Sequence, residues 1–175
     1  MSIAKYVPEK TYTLCGTPLY IAPEVILNRG HAKGADHWSL GSLIFEMITG
    51  RTPFYKEGMD QITLFRAIVR ADYTFPESRL MSNDAEDLIF RLLVVDPNQR
   101  LGSLARGQMD LYQHSWFRSI HFDRLKRKGI QAPWIPTIHD PLDTANFGNW
   151  DHLEDKNTKV DPPITIKDDL VFSSF

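Results

Sequence analysis

A mainly α-helical domain followed by an extended, proline-rich tail is the fold class that the sequence predicts. Ala85, Leu88, Ile89, Leu92 and Leu93 repeat at the i, i+3, i+4, i+7, i+8 spacing of one helix face. A second stretch, from Asp36 to Thr49, is apolar on nearly every face, and no strand run competes with these helices. With 175 residues, 42% of them hydrophobic, the chain can bury one good core, so a single domain with an appended tail is expected.

The first 35 residues hold Pro8, Pro18, Pro23, Gly16, Gly30 and Gly34. Breakers at this density predict an irregular segment with at most a short helix near Pro23 to Leu27. From Asp36 onward, Trp38, Leu40, Leu43, Ile44, Phe45, Met47 and Ile48 predict a helix closed by Thr49-Gly50 and Pro53. Being apolar all round, it is expected to be buried. Ile62, Phe65, Ile68 and Val69 predict an amphipathic helix. The helix through Ala85 to Leu93 has Ser82, Asn83 and Asp84 as candidate caps and Asp96-Pro97 as its stop. Gln108 to His114 reads as a short helix, with Trp116 and Phe117 packing into the core after it. After residue 118 come Arg124, Lys126, Arg127 and Lys128, most simply a solvated face, and then Pro133, Pro136, Pro141, Pro162 and Pro163. Such a stretch makes no core of its own and is expected to lie extended across another surface.

Lys and Arg number 20 against 22 Asp and Glu, leaving no basic excess to favour nucleic acid or an acidic membrane surface. The single Cys15 cannot form an internal disulfide, and no Cys/His spacing suits a metal, so a reducing compartment is expected and no metal site. Cys15 reads as a small loop residue, with a redox role as the alternative. The best apolar run, Leu40 to Thr49, is interrupted by Glu46 and is too short to cross a bilayer. Lys5, Glu9 and Lys10 leave no signal-peptide stretch, so the expected location is the cytosol, with access to the nucleus.

Five strings stand in a telling order. Thr11-Tyr12-Thr13-Leu14-Cys15-Gly16-Thr17-Pro18 is followed by Ala22-Pro23-Glu24, and then by Asp36-His37-Trp38-Ser39-Leu40-Gly41. Gly50-Arg51-Thr52-Pro53-Phe54 and Asp96-Pro97-Asn98-Gln99-Arg100-Leu101-Gly102 come after them. In this order and spacing they resemble the lower lobe of protein kinases, whose activation segment closes on A-P-E. The resemblance covers essentially the whole chain. Thr-Leu-Cys-Gly-Thr, His114-Ser115-Trp116-Phe117, Asn146-Phe147 and the terminal Phe172-Ser173-Ser174-Phe175 are similar to the AGC group of serine/threonine kinases. Nearest within it are the cAMP-dependent and cGMP-dependent kinases: an end on Phe175 resembles the first, whereas Leu27-Asn28-Arg29-Gly30-His31 resembles the second. The resemblance implies a helical kinase lobe from the activation segment onward over residues 1–117 and the AGC tail over 118–175.

Residue roles follow from the same resemblance. Thr13 stands where such kinases are phosphorylated, and Lys5 matches a lysine that contacts the phosphate, whose charge of about -1.5 to -2 would order the loop. Thr17 resembles the residue that hydrogen-bonds the catalytic aspartate, a supporting role. Leu14, Pro18 and Ile21 match an apolar pocket for the residue after the acceptor. Glu46, a lone acid costly to bury without a partner, matches a glutamate that receives a substrate arginine. An internal pair with Tyr20 is the structural alternative, and both can hold at once. Leu19 departs from the glutamate usual at its place, which serves a more distant arginine. Glu24 and Arg100 resemble the buried pair tying the activation segment to the lobe, and Asp36 resembles a structural carboxylate serving the catalytic loop. Phe147 matches the aromatic that closes over adenine, with Trp150 in place of a second tyrosine. Phe172 and Phe175 match a motif that docks on the N-terminal lobe, and Thr165 matches the tail phosphosite only at a shortened spacing to Phe175.

The groups that handle ATP, namely the glycine-rich loop, the strand lysine and its glutamate, H-R-D and the D-F-G aspartate, are not in this sequence. Through Ile3-Ala4-Lys5, Met1 and Ser2 fall on the last two positions of D-F-G. The resemblance implies transfer of the ATP γ-phosphate to Ser or Thr near basic residues, with ATP and Mg as cofactors of the complete kinase and neither expected to bind this chain alone. It further implies protein substrates, an upstream activating kinase and a cyclic-nucleotide-binding regulatory subunit or domain. The chain by itself is expected to be inactive. The other reading is a non-catalytic binding module, a decoy for the regulatory partner, with Tyr12 and Phe65 as the aromatics it presents.

Overall fold

The computed structural model describes residues 6–7, 9–76 and 81–148. They fall into two compact units, one reaching to Gly129 and the other beginning at Ile130. The first is helical, with α1 (Pro23–Ile26), α2 (Gly34–Thr49), α3 (Gln61–Arg70), α4 (Asn83–Leu92), α5 (Gln108–Tyr112) and α6 (Phe122–Lys126), and 3-10 turns at Pro18–Tyr20 and Ser115–Phe117. Among the described residues the only strand-like feature is an antiparallel bridge in which Thr11 and His31 exchange backbone hydrogen bonds, each 2.9 Å long.

The pairing of α2 with α4 makes the core. Trp38, Ile44 and Phe45 of α2 and Ala85, Leu88, Ile89 and Leu92 of α4 are buried together, each large apolar side chain contributing about 1.5 to 3 kcal/mol. The two backbones approach closely at Gly41, where an added β-carbon would lie 2.8 Å from Leu92 Cβ. At its end α2 stops on Gly50, whose φ of 73° only glycine adopts cheaply, and whose N–H bonds Glu46 O at 2.8 Å. The expectation that α2 is buried on every side does not hold, because Leu43 is 43% and Met47 65% exposed. The described elements cover its Trp38–Phe45 flank and leave the opposite one bare.

Caps set the other helix starts. Ser82 Oγ accepts the Ala85 N–H at 3.2 Å to open α4, and Asp60 Oδ1 accepts the Thr63 N–H at 2.6 Å to open α3. In α3 the buried pair is Leu64 and Ile68, while Ile62, counted in the apolar stripe from the sequence, is 63% exposed. The short helix α5 ends two residues before the expected His114, whose ring leaves the helix to bond Asp87 Oδ2 at 2.9 Å. No pattern in the sequence predicts α6. It forms because Phe122 packs its ring on Tyr112 and Phe117, at 4.6 and 5.5 Å between centroids, leaving Arg124, Lys126, Arg127 and Lys128 exposed.

In the second unit, residues 130–148 are turns without a buried side chain. Asp143 accepts the N–H groups of His139 and Ala145 at 2.9 and 2.8 Å, and these bonds hold its carboxyl below the usual range. No helix among the described residues is long and apolar enough to cross a membrane.

Candidate functional site

Arg100 is completely buried, so each of its donors needs an acceptor. Nη1 and Nη2 bond the two Glu24 oxygens at 2.8 and 3.0 Å, Nη1 also reaches Gly34 O at 2.6 Å, and Nε bonds Val94 O at 3.0 Å. Its guanidinium lies 5.2 Å from the centroid of the Trp38 ring. This fork fixes α1, the start of α2 and the loop after α4 to one another, and therefore fixes the chain entering α1.

That entering chain, residues 11–22, borders a cleft of about 650 Å³ lined by Thr13, Cys15, Thr17, Ile21, Asp36 and His37 among others. Thr13 is exposed, with its Oγ 3.3 Å from Thr11 Oγ. Cys15 is exposed as well. Of the apolar trio, Ile21 is buried and lines the cleft, whereas Leu14 is 63% exposed and neither it nor Pro18 contributes to the lining. Asp36 stands in the first turn of α2, and among the described residues its carboxylate accepts no hydrogen bond. Beside it, His37 is buried with Nδ1 unpartnered, and burial holds its imidazole below the usual range, with Arg100 and Lys33 lowering it further against the pull of Asp36.

On the neighbouring face of α2, Glu46 is half-buried and its Oε2 accepts the Tyr20 hydroxyl. That hydrogen bond, with burial and the Glu46 charge behind it, raises the Tyr20 phenol and keeps it a donor. Among the described residues Oε1 accepts nothing. Ser39 Oγ, unremarked in the sequence, donates to Tyr20 O at 2.9 Å. The signal for it is only its place seven residues before Glu46, on the same helix face.

The protein kinase domain model matches residues 2–117. This chain belongs to the protein kinase family. Over 151 residues this kinase chain is 44% identical to the cAMP-dependent protein kinase catalytic subunit of Dictyostelium discoideum, a match covering 86% of the chain and 23% of the relative. It is 38% identical over 172 residues to the human cAMP-dependent protein kinase catalytic subunit PRKX, covering 98% of the chain and 46% of the relative. To cAMP-dependent protein kinase type 3 of Saccharomyces cerevisiae it is 40% identical over 152 residues, 86% of the chain and 37% of the relative. The chain thus spans less than half the length of each of these relatives, and it groups with the AGC kinases.

Further kinase-like positions fall unevenly. Phe147 lies in the second unit and is 70% exposed, and Tyr12 is 62% exposed with its ring against Gly30. Phe65 is half-buried against the core. Leu19, in place of the usual glutamate, packs on the core too. Lys5, Trp150, Thr165, Phe172 and Phe175 lie outside the described residues. The helix α4 also carries Asp84, named from the sequence only as a candidate cap, and Asp87, for which the sequence held no signal. Asp87 binds His114 and Arg91, and Asp84 accepts from Ser115 Oγ at 2.7 Å, so the segment after α5 is pinned to α4.

Proposed function

We propose that this chain is the activation-segment and peptide-docking part of an AGC-group serine/threonine kinase that transfers the ATP γ-phosphate to Ser or Thr near basic residues. The observation that carries this reading is Glu46, a half-buried carboxylate with one oxygen bound to Tyr20 and the other accepting nothing among the described residues, a chemistry suited to a guanidinium. Tyr20, which bonds Glu46, lines the cleft together with Thr13 and Thr17, and this supports reading the candidate phosphosite and the partner of Glu46 as parts of one segment.

In this reading Thr17 supports the catalytic aspartate, and Leu14, Pro18 and Ile21 face the residue after the acceptor. Phosphorylation of Thr13 by an upstream kinase, with Lys5 as its partner, orders the exposed segment. ATP and Mg supply the phosphoryl group and its charge neutralisation. Toward them this chain contributes Thr17 and, from its tail, Phe147. Thr165 and the Phe172–Phe175 motif belong to the tail's docking, and the setting is the cytosol with access to the nucleus.

The test is kinetic. In the complete kinase, Glu46→Ala should raise KM about ten- to a hundredfold, the loss of a charge-assisted pair, for a peptide with Arg two residues before the acceptor, and far less for one without it. Equal losses on both peptides would leave Glu46 only a structural partner of Tyr20.

The exposed Tyr12 ring supports a second reading, in which the chain offers an aromatic surface, with Phe65, to a cyclic-nucleotide-binding regulatory partner. Tyr12→Ala should then abolish co-purification with such a partner while leaving peptide binding intact.

A further inference from the structure

Ser39 and Glu46 are separated by seven residues of α2, so they return to the same face with a drift of about 20° and stand about 10.5 Å apart along the axis. Tyr20 spans that gap. Its carbonyl oxygen accepts the Ser39 hydroxyl at 2.9 Å, and its own hydroxyl donates to Glu46 Oε2. A helical serine has a local alternative in the carbonyl four residues back, and Ala35 O is indeed 3.2 Å from Ser39 Oγ. The shorter bond goes to Tyr20. The helix thus holds one tyrosine at its backbone and at its phenol, by two side chains that it alone positions.

A half-buried glutamate side chain has several rotamers, and an incoming arginine must select one at an entropic cost unless the selection has already been made. We propose that Ser39 is a positioning residue for the arginine site: by fixing the Tyr20 backbone it fixes the phenol, and through the phenol the Glu46 carboxylate, with Oε1 left for the guanidinium. In this role Ser39 acts through Tyr20 rather than on the peptide. The inference rests on the reading that Glu46 receives a substrate arginine, and it adds the residue that sets how sharply the site discriminates.

The test measures binding to the 175-residue chain by fluorescence anisotropy, using a labelled peptide with Arg two residues before its Ser and the same peptide with norleucine there. The ratio of the two Kd values is the readout, and wild type should favour Arg. Ser39→Ala should narrow the ratio about three- to tenfold, as loss of one hydrogen bond does, with the norleucine Kd unchanged. Ser39→Thr, which keeps the hydroxyl, should restore it. In a Glu46→Gln background, which itself removes the preference, Ser39→Ala should change nothing further. If Ser39→Ala keeps the full ratio while Glu46→Gln erases it, Ser39 has no positioning role and the reading of Glu46 survives. If Glu46→Gln keeps the ratio, or wild type has no preference, the arginine site itself is wrong and the role of Ser39 goes with it. Equal weakening of both peptides by Ser39→Ala also overturns the proposal. Should Ser39→Ala fail to fold, Tyr20→Phe cuts the same link at the phenol, and an unchanged ratio in that variant has the same force.

Discussion

Glu24 and Arg100 show how burial turns a pair of charges into a constraint. With Arg100 completely buried and both Glu24 oxygens engaged, Glu24→Ala strands a guanidinium whose other acceptors are backbone carbonyls. The expected loss is about 3 to 5 kcal/mol of unfolding free energy, read from urea denaturation. His37 carries a pH dependence of definite sign. Its folded pKa lies below the ordinary value of 6.5, so the unfolded chain binds the proton more readily. The stability tied to its neutral form is complete above pH 6.5 and falls as the pH drops below that value. The urea midpoint should therefore decline between pH 7.5 and 5.5 more in wild type than in His37→Gln. Identical declines would remove His37 as a contributor. At this scale the sequence was informative where a motif names both partners, as for Glu24 with Arg100 and Tyr20 with Glu46. It was silent on Ser39 and on His114 with Asp87, whose bonds join positions 19 and 27 residues apart and leave no local pattern.

The helices were legible in proportion to how much of their pattern is local. α4 has an apolar face, a serine cap and a proline-bearing stop, and the structure forms it over Asn83–Leu92 as that pattern requires. Ser82→Ala should cost about 1 kcal/mol through the lost cap, and Gly41→Ala about 1 to 3 kcal/mol by forcing α2 from Leu92 and Leu93. Thermal denaturation of both variants checks the pair, and a stabilised Gly41→Ala would contradict the close packing of the two helices. The exposure of Leu43 and Met47 could not be foreseen, because periodicity reports how apolar a helix is and not which neighbours cover it. The ring contacts of the half-buried Phe122 with Tyr112 and Phe117 were likewise hidden in a stretch whose charge and prolines suggested only tail.

For the molecule as a whole, the sequence and the structure bear on different halves of the function. The motifs identify a kinase, and the structure shows a helical unit with a cleft, a half-buried Glu46 carboxylate bonded to Tyr20 and an exposed Thr13. Phosphoryl transfer depends on positioning and electrostatic stabilisation, and the sequence holds no glycine-rich loop, H-R-D or D-F-G to supply either. We therefore propose that this chain serves peptide docking and has no turnover of its own. Label transfer from Mg-ATP to a basic Ser peptide, by the chain freed of host kinases and beside a Thr17→Ala version, tests this most directly. The prediction is no transfer above the peptide-only background from either protein. Transfer by wild type that disappears in Thr17→Ala would show that the activity belongs to this chain and would contradict the account.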